Sequence, residues 1–114
     1  MSVKRVQKLN ELIRHALGQA FVTELNIPPG VLATITRVTV SPDLSYADIT
    51  VSVLPTAAQA ATQAHLAAHA GSLRTHLART LIIRKMPLLR FHIDHSSEAV
   101  EEIDALIDKI HREE

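Results

Sequence analysis

The stretch VTVSPDLSYADITVSV, residues 38–53, consists of two alternating apolar and polar patterns with a turn between them. Every second residue from Ala47 to Val53 is apolar and the residues between them are polar, which is typical of a strand with one buried face. Pro42 favours the second position of a β-turn, and an aspartate such as Asp43 can accept hydrogen bonds from nearby backbone. The stretch therefore predicts a β-hairpin with one face against a core and one face in solvent.

The segments on either side of this hairpin alternate between helical and strand patterns. Apolar residues recur at helical spacing from about Val3 to Thr23, residues 88–94 alternate as a third strand, and Thr56 is a residue type that favours the N-cap of the next helix. The order α-β-β-α-kink-α-β-α predicts an α+β fold in which helices cover one face of a three-stranded sheet. At 114 residues the chain fits one domain, residues 1–114, with predicted helices at 3–23, 56–70, 72–85 and, acidic on its outer face, about 96–112.

Gly71 and Ser72 stand in the middle of a helical pattern that covers residues 65–80. Glycine is common just past the end of a helix and serine is a preferred N-cap, so the pair predicts that one helix ends and another begins here. A new helix start exposes free N–H groups and the positive end of the helix dipole, where a phosphate binds well. Arg74 would lie in that first turn. The alternative is that Gly71 only allows two helices to cross closely.

The formal net charge is zero, but the charges are divided along the chain. Ten of the 12 basic residues precede Asp94, and eight of the 12 acidic residues lie at Asp94 or beyond it. This division favours a basic body that binds a polyanion, with an acidic terminal element, Glu98 to Asp108, that faces elsewhere or limits nonspecific binding. A surface on which the charges segregate without function is the alternative.

Four pieces of the sequence, in this order, resemble the pattern of one family, ribosome-binding factor A. They are the basic first helix with Arg5 and Val6, the hairpin with Asp43, Leu44 and Ala47, AGSLR at 70–74, and RKMPLLRFHID at 84–94. The resemblance implies a type II KH-like fold in which an Ala-x-Gly kink replaces the usual GxxG loop. Here the kink positions read His69-Ala70-Gly71, so the glycine is kept and the leading alanine is a histidine.

For function, the resemblance implies a non-catalytic factor that binds the RNA of the small (30S) ribosomal subunit and assists its late maturation, above all in the cold. That role includes processing of the 5′ end of the subunit's rRNA. The implied partners are the small subunit and its rRNA, and we expect a monomer. The alternative is a dimerisation or protein-interaction domain that uses the alanine-rich face Ala57–Ala68 and binds no nucleic acid. The missing GxxG loop disfavours a general KH domain that acts on messenger RNA.

Phosphate contacts come mainly from Arg and Lys and carry little base information. Tyr46 is the one fair candidate for stacking on a base, since Phe21 and Phe91 fit the core, so we expect recognition of RNA shape and backbone. At Gly71 and Ser72 the backbone itself would lie against a phosphate. The candidate RNA-binding residues are Lys4, Arg5, Lys8, Gly71, Ser72, Arg74, Arg79, Arg84, Lys85 and Arg90.

Other classes of function receive little support. The chain has no cysteine, and no Glu follows His65 as an HExxH motif requires, so we expect no metal and no cofactor. Asp43 and Asp94 fit turn and strand-end positions, and the phosphate-loop and nucleophile-elbow motifs of enzymes are missing, so we expect no catalysis. No apolar stretch approaches a membrane span and the N-terminus lacks a signal-peptide pattern, which favours the cytoplasm.

Overall fold

The computed structural model describes residues 3–96. Their order is α-β-β-α-β, with a single turn of 3-10 helix before the second α-helix. The acidic helix expected at about 96–112 lies outside the described residues except for Ser96. The elements are α1 (Val3–Thr23), β1 (Leu32–Val40), β2 (Tyr46–Leu54), the 3-10 turn Thr56–Ala58, α2 (Gln59–Thr80) and β3 (Leu88–Ile93).

The three strands form one mixed sheet in the order β1-β2-β3. β1 and β2 form the predicted antiparallel hairpin, whereas β3 lies parallel to β2. A parallel neighbour requires a long crossover connection, and α2 supplies it. Ala47, Ile49, Val51 and Val53 are all fully buried on the helical side of β2, as the alternation predicted. The α+β class and the three-stranded sheet are therefore confirmed.

β1 contains an irregularity that keeps its apolar residues on the buried face. Ile35 pairs with Val51 and Val38 pairs with Ile49, and the register shifts between Ile35 and Arg37. In a regular strand, residues three apart point to opposite faces. One extra residue in β1 restores the phase, so that Ile35 and Val38 both face the core.

Both helices pack on the same face of the sheet. Ile13 and Leu17 of α1 and Leu66 and Leu77 of α2 are fully buried in one hydrophobic core with the inner residues of the strands. Phe21 and Phe91 also belong to this core, with their ring centroids 6.3 Å apart. The opposite face of the sheet carries the polar side chains of the strands and remains open among the described residues.

The predicted break at Gly71 is wrong, because α2 continues from Gln59 to Thr80 as one helix. The Ser72 hydroxyl donates to the His69 carbonyl at 3.0 Å, and the Thr75 hydroxyl donates to the Gly71 carbonyl at 3.1 Å. Inside a helix, Ser and Thr can bond back to a carbonyl three or four residues earlier, and here they do so instead of capping a new helix. The free N–H groups of a helix start, and the phosphate site expected on them, are therefore not formed at Ser72.

The two ends of α2 also differ from the sequence prediction. Thr56 belongs to the 3-10 turn, whose N-cap position is held by Pro55, and the α-helix begins at Gln59. Gln59 is buried, and its side-chain amide donates to the Val53 carbonyl at 3.4 Å. At the other end the helix stops at Thr80, because the backbone of the next residue is extended. The chain from there to β3 is a loop and not the predicted continuation of helix.

Candidate nucleic-acid interface

The turn between β1 and β2 is built around the carboxylate of Asp43. This carboxylate accepts from the Ser41 hydroxyl at 2.8 Å and from the Ser45 backbone N–H at 3.1 Å. The hydrogen bonds from Ser41 and then from Ser45 lower the pKa of Asp43 from 3.8 to about 2. Leu44 adopts a positive φ of 62°, and its side chain packs against the core. The structural role expected for Asp43 is thus visible in its contacts.

Two contacts bring other elements to this end of the sheet. The Asn10 side-chain oxygen accepts from the Val40 backbone N–H at 2.9 Å, so the first turns of α1 lie beside the end of β1. The Leu88 N–H donates to the Ser45 carbonyl at 3.0 Å, so the loop before β3 also reaches the turn. We call this region the turn end: the turn 41–45, the first two turns of α1 and the loop 81–87.

Arg74 connects α2 to the turn end by hydrogen bonds. Its Nε donates to the carbonyls of Met86 and Pro87 at 3.2 and 3.3 Å, and one terminal nitrogen donates to the Met86 carbonyl at 2.8 Å. The side chain is partly buried. Arg74 therefore holds the loop that carries Arg84 and Lys85. Contact between Arg74 and RNA stays a prediction, and part of its donor capacity is already used within the protein.

Most of the basic candidates are exposed around the turn end. Arg79 lies in the last turn of α2, just before the loop, and Lys85 is close enough to Asp43 to contribute to the lowering of its pKa. Charges gathered at one end of a small domain create a potential that attracts a polyanion. The exposed basic residues of the turn end are Lys4, Arg5, Lys8, Arg84 and Lys85, and Arg79 is exposed on α2, next to the loop 81–87 in the sequence.

Arg90 stands apart from that group, on the open face of the sheet. It donates to both carboxylate oxygens of Asp48, at 2.8 and 3.0 Å, and its guanidinium lies 4.2 Å from the centre of the Tyr46 ring. The carboxylate also contacts the His92 ring at 2.9 Å. Hydrogen bonds from Arg90 and then His92 lower the pKa of Asp48. Two candidates for RNA contact, Arg90 and Tyr46, are therefore engaged with each other.

Sequence reasoning did not single out two residues of this cluster, His92 and Asp48. Asp48 lies opposite Arg90 in the parallel pairing of β2 and β3. Asp48 and Arg90 both occupy outward positions in their alternating patterns, so the sequence indicated that both lie on the open face of the sheet. What the patterns could not supply was the pairing of the two strands.

Neither a group of metal ligands nor a membrane-spanning helix is found in the part of the chain that the structure describes. Among residues 3–96, no group of three or more His, Cys, Asp or Glu side chains could hold a metal ion. Within the same residues, no helix is both long and apolar enough to cross a membrane. Asp94, the other carboxylate considered, accepts from the Ser96 N–H at 2.9 Å and the Ser96 hydroxyl at 2.6 Å and so ends the strand.

Comparison with solved structures supports the fold. The crystal structure of ribosome-binding factor A from Thermus thermophilus superimposes with a TM-score of 0.71 at 21% identity, over 80% of this chain and 97% of that one. A solution structure of a putative ribosome binding factor A from Thermotoga maritima gives a TM-score of 0.58 at 29% identity, over 78% and 82% of the two chains.

Comparison of sequences reaches further than the fold. Ribosome-binding factor A of Hahella chejuensis is 38% identical, with 92% of this chain and 83% of the relative covered. The factor of Alcanivorax borkumensis is 36% identical, with 96% and 82% covered. The sequence pattern that defines the family matches residues 5–107, which is most of the chain. With the predicted hairpin, the crossover helix and the basic turn end in place, this chain belongs to the ribosome-binding factor A family.

Proposed function

We propose that this protein binds the rRNA of the small (30S) ribosomal subunit through its turn end and assists the late maturation of that subunit. The role includes processing of the 5′ end of the rRNA. The protein is a non-catalytic binding factor that acts in the cytoplasm as a monomer, with residues 1–114 as one RNA-binding domain.

Family membership carries this proposal, since the family is defined as ribosome-binding. A homology model of the Thermus thermophilus factor was fitted into the cryo-EM map of a 30S complex. That protein is 24% identical to this chain, and its complex with the 30S subunit supports the small subunit as the partner here.

The charges of the turn end support RNA as the contacted part of the subunit. Lys4, Arg5 and Lys8 are exposed on α1, and Arg84 and Lys85 are exposed on the loop fastened by Arg74. Exposed basic side chains neutralise phosphates of the RNA and release their counterions, which gives affinity for RNA without recognition of the bases. Tyr46 lies under Arg90, so aromatic stacking on bases contributes little.

The direct test is co-sedimentation of the purified protein with free small subunits, large subunits and assembled ribosomes at two salt concentrations. We expect binding to free small subunits alone, and weaker binding at the higher salt. Indifference to all three particles at both salts would contradict the proposal and favour the dimerisation alternative. For the processing role, removal of the protein from cells should leave small-subunit rRNA with an extended 5′ end, measured by primer extension.

A matched pair of variants tests the turn end itself. Lys4→Gln/Lys8→Gln removes two positive charges from the turn end, and Arg14→Gln/Arg37→Gln removes two from elsewhere. Because each phosphate contact adds about 0.7–0.9 to the magnitude of the salt slope, losing two contacts should reduce the slope of log K against log salt by about 1.4–1.8. The control pair should leave the slope close to that of the unmodified protein. Equal reductions in both variants would mean that only net charge matters.

A further inference from the structure

A long groove runs between α1 and the edge strand β1. Its apolar part is a cleft of about 400 Å³ lined by residues that include Gly18, Phe21, Val22 and Leu32. Its polar part is a cleft of about 430 Å³ lined by residues that include Asn10 and Arg37. Arg14 lines both parts, so they form one continuous surface, which we call the α1–β1 groove.

The apolar part of the groove is unusually exposed. The Val22 side chain is 84% exposed and Leu32 is 62% exposed, and they face the same cleft. Gly18 leaves the floor between them open, since a methyl group added there would meet nothing within 4 Å. Single exposed apolar residues are ordinary on a protein surface, but a cleft flanked by several of them is typical of a binding site.

The described part of the chain ends beside the polar part of this groove. The Asp94 backbone N–H donates to the Val51 carbonyl at 2.8 Å, which holds the end of β3 against β2. Asp94 and Ser96 line a cleft together with Thr36 and Arg37 of β1 and with Thr50 on the open face of β2. Thr36 and Arg37 also line the polar part of the groove, so Ser96, the last described residue, lies near that part.

The segment that follows matches the groove in length and in character. Residues 97–114 carry apolar side chains at helical spacing from Val100 to Ile110. As a helix, that stripe is about 15 Å long, and the strand from Arg37 back to Leu32 spans about 17 Å. Four of the seven acidic residues of the segment lie in its first half, and Arg14 and Arg37 line the part of the groove nearest to Ser96. These four are Glu98, Glu101, Glu102 and Asp104.

We propose that residues 98–110 dock as an amphipathic helix in the α1–β1 groove of the same chain. The stripe from Val100 to Ile110 covers Val22 and Leu32, and the acidic residues at the start of the helix lie near Arg14 and Arg37. The docked helix adds a second layer at the edge of the sheet and shields the unpaired backbone groups of β1 from other chains. This inference concerns the fold of the chain and is independent of the proposed function.

A spin label tests the docking directly, because the chain has no cysteine and one can be introduced alone. Ala105→Cys places the label on the side of the predicted helix opposite the apolar stripe. With a nitroxide attached, we expect the NMR amide signals of Gly18, Val22 and Leu32 to lose most of their intensity. Reduction of the nitroxide should restore them. Loss of signal at Thr50 and Ser52 instead would put the segment on the open face of the sheet and overturn the proposal.

Two controls complete the experiment. Val22→Asp, at a side chain that makes no contribution to the core, should abolish the broadening while the rest of the spectrum stays unchanged, and Ile103→Asp/Ile107→Asp should do the same from the segment. A mixture of spin-labelled protein with isotope-labelled protein that carries no spin label detects docking between chains. Broadening in that mixture as strong as within one chain would assign the groove to a second copy and overturn the intramolecular proposal. Unchanged groove signals in every sample would overturn it as well.

Discussion

Arg90 donates two hydrogen bonds, of 2.8 and 3.0 Å, one to each carboxylate oxygen of Asp48 on the neighbouring strand. The two residues are 42 positions apart in the sequence and directly opposite in the sheet. Since the positive charge of Arg90 is balanced where it stands, it adds little to the potential that attracts a polyanion. For the proposed function, we therefore expect RNA to be attracted to the turn end and not to the open face of the sheet.

This pairing makes a prediction about charge in RNA binding. Asp48→Asn should strengthen binding to small-subunit rRNA, because it removes a negative charge and frees the Arg90 guanidinium. The double variant Asp48→Asn/Arg90→Gln, whose net charge is unchanged, should bind as the unmodified protein does. Filter binding of an rRNA fragment at fixed salt measures all three. If the double variant binds as weakly as Lys4→Gln/Lys8→Gln, Arg90 contacts RNA directly and the prediction fails.

The Asp43 turn predicts how stability depends on pH. The pKa of Asp43 is lowered from 3.8 to about 2, so the folded protein holds the carboxylate in its charged form more strongly than the unfolded chain does. The resulting stabilisation is fully present above pH 3.8 and is lost as the pH falls towards about 2. Asp43→Ala should therefore lower the Tm at neutral pH and have progressively less effect over that acidic range.

Ser41→Ala serves as the partner variant for this measurement, since the Ser41 hydroxyl makes the largest contribution to the lowered pKa. It should reproduce the direction of the pH effect at a smaller size. Thermal unfolding followed by circular dichroism gives the Tm at each pH. A Tm difference between Asp43→Ala and the unmodified protein that stays constant from neutral pH to the acidic range would contradict the assignment.

The elements of the fold were predictable where one period dominates the sequence. The alternation from Ala47 to Val53 placed β2 and its buried face correctly, because a one-residue slip would expose the whole apolar set. The turn chemistry of Asp43 was equally readable, since an aspartate bonding backbone two residues ahead is a local event. Local patterns were enough wherever the decisive contacts were also local.

The misplaced helix break shows the limit of such local rules. Gly71 and Ser72 are individually typical of helix ends, yet Leu66, Leu73 and Leu77 are all buried on one face of α2. That apolar stripe passes the glycine without a change of phase, and burying it stabilises the helix by more than the roughly 1 kcal/mol that an interior glycine costs. Tertiary packing therefore favours the continuous helix over an N-cap at Ser72. The stripe itself was in the sequence and was the better signal.

Other parts of the site depend on contacts that no local pattern contains. The partners of Arg74 are the carbonyls of Met86 and Pro87, and those of Arg90 are on a different strand. The register of β3 against β2, for example, decides that Arg90 is hydrogen-bonded within the protein and is less available to contact a partner. A sequence identifies the cations, and only the three-dimensional arrangement divides them into structural and exposed groups.

The fastening role of Arg74 gives a prediction about stability. Arg74→Met keeps the stem of the side chain and removes the donors to Met86 and Pro87, so it should lower the free energy of unfolding by about 1–3 kcal/mol. Arg79→Met, at an exposed position on the same helix, should change it by less than about 0.5 kcal/mol. Urea unfolding measures both variants. Equal stability of the two would mean that the hydrogen bonds of Arg74 do not hold the loop.

The continuous α2 helix predicts that Gly71 can be replaced with a gain in stability. An added methyl group at Gly71 meets nothing within 4 Å, and the residue does not have a positive φ. Gly71→Ala should therefore raise the free energy of unfolding by about 0.5–1 kcal/mol, because alanine loses less backbone entropy on folding into a helix.

Gly30→Ala is the matched control, since Gly30 has a φ of +87° with equally open space around it. An alanine there is strained, and the free energy of unfolding should fall by about 1–2 kcal/mol. Urea unfolding of the two variants should give changes of opposite sign. A loss of stability in Gly71→Ala would mean that the backbone at Gly71 needs a conformation that alanine resists. If Gly71→Ala is stable but binds small subunits less tightly, Gly71 lies against the subunit even though no helix begins there. A methyl group on an exposed helix would then disturb binding by steric contact with that partner.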